Sequence, residues 1–420
     1  MSDHLFDYEK AVAENELIQS TRKQALAVLQ PDARQLQHGL ELHAASVVCD
    51  AFGFLPNVWT EKLVGEMNAL LDGQVGAKDY HFRTNQLRAT VALHDEAAAH
   101  EYIAAIKAAG LSGTMQTAAE GKTRERDIKR IAGFHGICQA FSGHMLLGAG
   151  ADDVTAAKEE NRICVFLSVN GPPCPGAMID HDEEFGWLET WHHLGVRMMH
   201  LTYNRRNIVG DGCMEDANGG LSEFGRELLR ELNEIGIIVD TAHSGEQTTL
   251  DAAHLSAKPM VASHSGCRTL QDHPRNKTDE AIKAIAAGGG LLGICNLPGF
   301  LGGTENLNAL LDHVDYAVKL VGPDHVTIGT DICYVPPWPL ALRGYQNARW
   351  TSRWWGAWKP EYPTSSSNDH REGSLAWTNW PLFTVGLVMR GYSDADIAKL
   401  IGGNLLRVLA ANEPRHLLRL

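Results

Sequence analysis

One regular alternation constrains this chain more than any other feature. From residue 162 onward, short runs rich in valine, isoleucine and leucine are separated by longer amphipathic stretches. RICVFLSVNG, VRMMHLTYN, GIIVDTAH, KPMVASH, GLLGICN and HVTIGTD are the apolar runs. FGWLETWHHLG, SEFGRELLRELNEIG, DEAIKAIAAGG and TENLNALLDHVDYAVKLVG are the helical segments among them. Short continuous apolar runs read as strands buried on both faces, hence as a parallel sheet with right-handed helical crossovers. The spacing is even and no GxGxxG follows the first strand, which favours a closed barrel over an open dinucleotide-binding sheet. The expected fold is α/β, a TIM-type (β/α)8 barrel, and the 420 residues suffice for it with extensions at both ends.

Taken in order, residues 1–44 read as a helical extension interrupted at Pro31, and ASVVCDAFGFLPN (45–57) as the first strand running into a loop. The barrel is expected over 45–345, with polar helices at Glu96–Ala109 and Glu125–Ile131. Residues 346–420 are expected to form a Trp-rich loop and C-terminal helices packed on the barrel. Ser222 and Ser393 sit where helix N-caps belong, Gly236 where a helix closes, and Gly402–Gly403 where one breaks. Seven tryptophans (Trp338, Trp350, Trp354, Trp355, Trp358, Trp377, Trp380) make 334–380 unlike a disordered linker. A cap over a pocket or a subunit interface fits that composition.

A net charge of -14 argues against a nucleic-acid or anionic-membrane surface, while leaving room for a small anionic substrate met by one local arginine. Eight cysteines form no CxxC pair and several lie inside apolar runs, as buried free thiols do. The acidic start MSDHLFDYEKAVAENEL and the lack of a long apolar run lead to the expectation of a soluble, cytoplasmic protein.

In a barrel of this type, polar residues at the carboxyl ends of the strands converge on one mouth. Three runs end that way, in His243, His264 and Asp331. The bland reading is a pair of hydrogen-bonded histidines and an aspartate capping a turn; the functional one is a site shared by all three. His181-Asp182-Glu183-Glu184 also looks like a metal cluster on paper, but acids in the first turn of a solvated helix explain it more simply. His192-His193 carries the same paper signal, and Cys174 has no partner in the sequence that would stabilise a thiolate.

At this level of detail the chain resembles the renal or membrane dipeptidase family. VRMMHLTYN, GIIVDTAHS, PMVASHSGCR, HPRN, VTIGTD and RGYSDADIAKLIGGNLLRV match its motifs in order, over roughly residues 40–415. The resemblance implies an amidohydrolase-like barrel that carries two zinc ions and cleaves dipeptides and related small amides. By position, His243 and His264 match two ligands of one zinc, Arg275 the arginine that receives the substrate carboxylate, and Asp331 an aspartate that handles protons at the metals.

Four positions depart from the pattern. The first strand, which ends in Asp-Gly-His-x-Asp in the family, reads Asp50-Ala51-Phe52-Gly53-Phe54, so both of its ligands are phenylalanine. The bridging glutamate is Asn170, and the histidine that touches the substrate oxygen is Tyr203. Phenylalanine offers a metal nothing. The expected site therefore holds one zinc or other divalent ion on His243 and His264, or no metal at all. Asp331, Cys174 or the 181–184 run are the candidates to complete a mononuclear site. Asp331, Tyr203 and Asn170 take the catalytic positions; Arg275, Tyr203, Phe52 and Phe54 line the substrate. The expected activity is hydrolysis of a dipeptide or other small carboxylate-bearing amide. The alternatives are a metal-free isomerase, lyase or tailoring enzyme and, behind it, a non-catalytic binding protein. The partners are a small-molecule substrate, neither nucleic acid nor membrane, and a second copy of the chain, since the resemblance implies a homodimer.

Overall fold

Among the described residues nine strands carry the architecture: β1 Cys49–Gly53, β2 Gly113–Ala119, β3 Met145–Leu147, β4 Ile163–Val169, β5 Val196–His200, β6 Ile238–Asp240, β7 Val261–Ser265, β8 Leu291–Ile294 and β9 Val326–Ile328. The computed structural model describes residues 12, 15–121, 123–172, 180–332, 334, 341–343, 359, 362 and 372–414. Eight strands follow one another as β1-β2-β4-β5-β6-β7-β8-β9, all parallel. Short β3 lies beside the beginning of β4, opposite Ile163–Val165. The seam between β9 and β1 is held by individual bonds rather than a ladder. Asp331 N donates to Phe52 O (2.8 Å), and Thr330 donates to the Asp50 carboxylate from N (2.9 Å) and Oγ1 (2.6 Å). The result is a TIM-type barrel with flanking helices.

Alternation along the strands separates two cores. Cys164 and Phe166 of β4 point inward with Cys49, Met115, Met198, Ile238, Val261 and Leu291, while Val165, Leu167 and Val169 face the surrounding helices. Leu405, Val408 and Leu409 of the helix Asn404–Asn412 join the inner cluster, so the C-terminal helix plugs the amino-terminal end of the barrel. The opposite, carboxyl end stays polar. Gly293 and Gly329 are required there: a β-carbon at either would collide with the Ser263 carbonyl oxygen.

The local signals behave as their chemistry dictates. Ser222 accepts from Gly225 N (3.0 Å) to open the helix Glu223–Ile235, and Gly236 closes it at φ 95°. Ser393 caps Asp394–Ala398, and Gly402 breaks the helical path. The helices Glu16–Leu29 and Ala33–Ala45 flank Pro31. The second packs on Trp380–Met389, where His43 Nδ1 lies 2.9 Å from Thr384 Oγ1. Trp377 and Trp380 are fully buried core residues, and Trp377 Nε1 donates to Asp50 (3.1 Å), so these two neither cap a pocket nor form an interface. The other five tryptophans of the 334–380 segment lie outside the described residues, as do Cys174 and Cys333. Cys49, Cys138, Cys164, Cys213, Cys267 and Cys295 are free thiols, all buried except the half-buried Cys213. No helix among the described residues is long and apolar enough to cross a membrane.

Candidate active site

Three neighbouring strands each deliver a histidine to the carboxyl mouth. His200 is the last residue of β5, His243 follows β6 by three residues, and His264 lies in β7. All three are buried, and their ligand-capable atoms lie within 4.8 Å of one another. Among the described residues this is the one group of three or more His, Cys, Asp or Glu side chains close enough to share an ion. The third side chain of that group is His200, not Asp331 or a residue of the 181–184 run. That run opens the helix His181–His193 under an Asp180 cap; three of its four residues are exposed, and Glu184 pairs with Arg124 (2.5 Å).

Hydrogen bonds fix which nitrogen of each ring is free. His243 Nδ1 stands 2.6 Å from Asn204 Oδ1, which also accepts the Cys213 thiol (3.3 Å), as the carbonyl end of an amide does. His264 Nδ1 stands 2.7 Å from Ser263 Oγ, and that hydroxyl spends its own proton on the Asp240 carboxylate. Both Nδ1 atoms therefore carry the proton, and both Nε2 atoms present lone pairs. Those two Nε2 atoms are 3.0 Å apart. Facing lone pairs repel unless a cation or a proton lies between them. Burial, reinforced by the Arg275 charge, holds both rings well below the usual histidine range, which disfavours the proton. Two nitrogens bound to one zinc at about 2.0–2.1 Å each stand roughly 3–3.5 Å apart, so the pair suits one metal ion.

Asp240 organises the shell behind the rings. It accepts from Ala242 N (2.9 Å), Ser263 N (3.1 Å) and Ser263 Oγ, and it lies 3.0 Å from His200 Nε2. Burial opposes its ionisation, but His200 and the Ser263 bonds outweigh that and hold the carboxyl below the usual range.

The opposite side of the mouth is apolar. The Phe52 ring stacks on His264 (centroids 3.8 Å apart, planes 16° apart) and meets His200 edge-on at 5.3 Å. Phe54 packs edge-on against Phe52 at 5.8 Å and is partly buried. These rings stand where a second ion would need donors, so the residues fit one ion and not two. Asn170 follows β4, and its Oδ1 is buried without a hydrogen-bond partner. Tyr203 stacks on His243 (4.0 Å, 21°) and is 36% exposed, at the rim of the mouth. Asp331 takes a left-handed backbone (φ 53°), a conformation aspartate tolerates better than most residues. Burial raises its carboxyl to about 7, against the opposing pull of Arg275 and His200. Arg275 is fully buried; Nη1 donates to Ala242 O and Nη2 to His264 O (2.9 Å), bracing the two histidine-bearing segments. Its guanidinium lies over the Phe300 ring at 5.3 Å, and Nε has no partner.

A family model for the membrane dipeptidases (peptidase family M19) matches residues 71–348. The chain belongs to this family. It is 26% identical over 289 residues to dipeptidase verJ of Clonostachys rogersoniana, covering 68% of this chain and 65% of that one. It is 25% identical over 278 residues to dipeptidase tcpJ of Claviceps purpurea, covering 65% and 56%. The chain thus spans less than two-thirds of the length of these relatives. The structure of the probable dipeptidase PvdM from Pseudomonas aeruginosa superimposes with a TM-score of 0.65 at 21% identity, covering 92% of this chain and all of that one. A Rhodobacter sphaeroides metallo peptidase liganded with a phosphinate mimic of the dipeptide L-Ala-D-Ala gives 0.62 at 18% identity, covering 87% and 99%. At such identities the two structures speak for the fold.

Membership explains why His243, His264, Arg275 and Asp331 sit where the motifs put them. It does not account for His200, Asn204, Ser263 and Asp240, to which the motif comparison assigned no role. One signal for His200 was present: VRMMH ends in a histidine, as the runs before His243 and His264 do. Asn204 and Ser263 carry no such mark, because a small polar residue beside a histidine is common in any strand-to-loop turn.

Proposed function

We propose that this chain hydrolyses a dipeptide or another small amide bearing a carboxylate, with one divalent metal ion, zinc, bound at His243 and His264. The observation that carries this reading is the 3.0 Å approach of two unprotonated Nε2 atoms, each ring locked in its tautomer from behind. Imidazole donors suit zinc. A metal ion bound there supplies a Lewis acid for the amide carbonyl and a water whose pKa falls toward about 7.

The chain's own residues have separable tasks. Asp331, raised to about 7, both accepts and returns a proton near neutrality, as a general acid/base must. Tyr203, at the rim, donates its hydroxyl to the substrate oxygen in place of the family's histidine. Arg275 has five N–H groups and gives two to backbone carbonyls, which leaves donors for a substrate carboxylate. Asn170 Oδ1, buried and unpartnered, accepts from a substrate N–H.

The test is amino-acid release from a panel of LL-, LD- and DL-dipeptides, before and after exhaustive chelation and after zinc is restored. Turnover that disappears with chelation and returns with zinc is the expected result. Failure of the zinc-loaded protein to cleave any dipeptide, or turnover indifferent to chelation, would sink this reading.

A further inference from the structure

We infer that His200 is a third metal ligand, so that this chain holds a single ion on three histidines from three adjacent strands. The inference rests on the metal-binding reading above and names a residue to which the motif resemblance assigns no role.

His200 Nδ1 lies 3.1 Å from Val169 O. A carbonyl oxygen only accepts, so Nδ1 carries a proton, and in the neutral ring Nε2 is the nitrogen left to bind a metal. That Nε2 is buried and makes no aligned hydrogen bond, although the Asp240 carboxylate is 3.0 Å away. An unprotonated nitrogen cannot donate to that carboxylate, so the approach calls for a cation beside them, and an ion shared with His243 and His264 provides one.

The same arrangement recurs on all three rings. Each far nitrogen is tied to an acceptor: Val169 O for His200, Asn204 Oδ1 for His243, and the Ser263 hydroxyl backed by Asp240 for His264. Outer partners of this kind fix tautomer and ring orientation in metal sites. Three buried rings, each with one nitrogen tied to an acceptor and each with a ligand-capable atom within 4.8 Å of the others, form a donor set. Three protein nitrogens also leave a fourth position for water or substrate, the pattern of catalytic rather than structural zinc. The Phe52 ring, stacked on His264 and edge-on to His200, closes the side where a second ion would sit. His200 thus restores a nitrogen to a centre that Phe52, Phe54 and Asn170 have stripped of donors.

Extended X-ray absorption on the zinc-loaded full chain, with metal content measured alongside, counts imidazoles without any substitution. One zinc per chain with scattering from three imidazoles is expected. In His200→Ala, zinc affinity should fall by more than the roughly 100-fold that outer-shell losses reach. His200→Gln and circular dichroism separate that loss from misfolding. Two imidazoles at full loading, two ions per chain, or wild-type affinity in a folded His200→Ala would overturn the third ligand. If His264→Ala still abolished binding in that case, the hydrolase reading would survive. A wild-type chain that takes up no divalent ion would overturn both.

Discussion

The two sides of the barrel mouth contrast in chemistry. Strands β5, β6 and β7 bring His200, His243 and His264 together, and behind them lies a continuous set of acceptors in Val169 O, Asn204, Ser263 and Asp240. Across the mouth, β1 contributes Phe52 and Phe54, and the residue after β4 is the neutral Asn170. One side is lined by nitrogen and oxygen atoms and the other by aromatic rings. The contrast teaches that these departures from the family motifs and the three-histidine group occupy separate sides of one mouth. The departures at Phe52, Phe54 and Asn170 lie on one side, while His200, Asn204, Ser263 and Asp240 surround the two motif histidines on the other.

The comparison breaks most directly at His264. His264→Ala removes a lone pair that faces His243 at 3.0 Å and should reduce both metal content and dipeptide turnover to background, measured by elemental analysis and amino-acid release. Asp331→Asn should lower kcat by about 10²–10⁴-fold, as expected when a general acid/base is removed. The same substitution has a signature in stability. The folded Asp331 carboxyl titrates near 7, above its unfolded value, so the native state binds the extra proton between those values. Stability of the metal-free chain should therefore fall as pH rises from about 4 to 7. Denaturant melts across that range should show a shallower fall in Asp331→Asn; an unchanged slope would clear Asp331 of responsibility.

Ser263→Ala tests the outer shell. It cuts the link between His264 and Asp240 and should weaken zinc binding by roughly 10–100-fold, with the folded structure retained. On the apolar side, Phe52→Ala should cost about 3–5 kcal/mol of stability in denaturant melts, because a ring only 2% exposed and stacked on His264 leaves a cavity. Metal binding should outlast that loss. If Phe52→Ala removed the metal at a concentration where the fold persists, the two sides would not be independent. Tyr203→Phe should be the mildest, about 0.5–1.5 kcal/mol in kcat/KM, the range of one ordinary hydrogen bond.

Much of this was legible from the chain. Periodicity placed the strands from β4 to β9 because a strand buried on both faces must be continuously apolar, and capping residues placed helix ends such as Ser222, Gly236 and Ser393. Motifs located His243, His264, Arg275 and Asp331. Less was legible between residues 60 and 160, where polar helices surround short strands and β3 is only three residues long. The 181–184 run shows the converse: an attractive cluster in sequence that the fold spends on a helix start.

By itself, then, the sequence determined the barrel, the presence of two convergent histidines and the absence of donors at Phe52 and Phe54, because periodicity and residue chemistry are properties of the chain. Only the tertiary structure decided that β5 sits beside β6 and brings His200 to the same point as His243 and His264. It also decided that Ser263 and Asp240 lock one ring while Asn204 locks another, and that Phe52 lies flat on His264. Those are relations between residues far apart in sequence, and their distances and angles exist only once the barrel has closed.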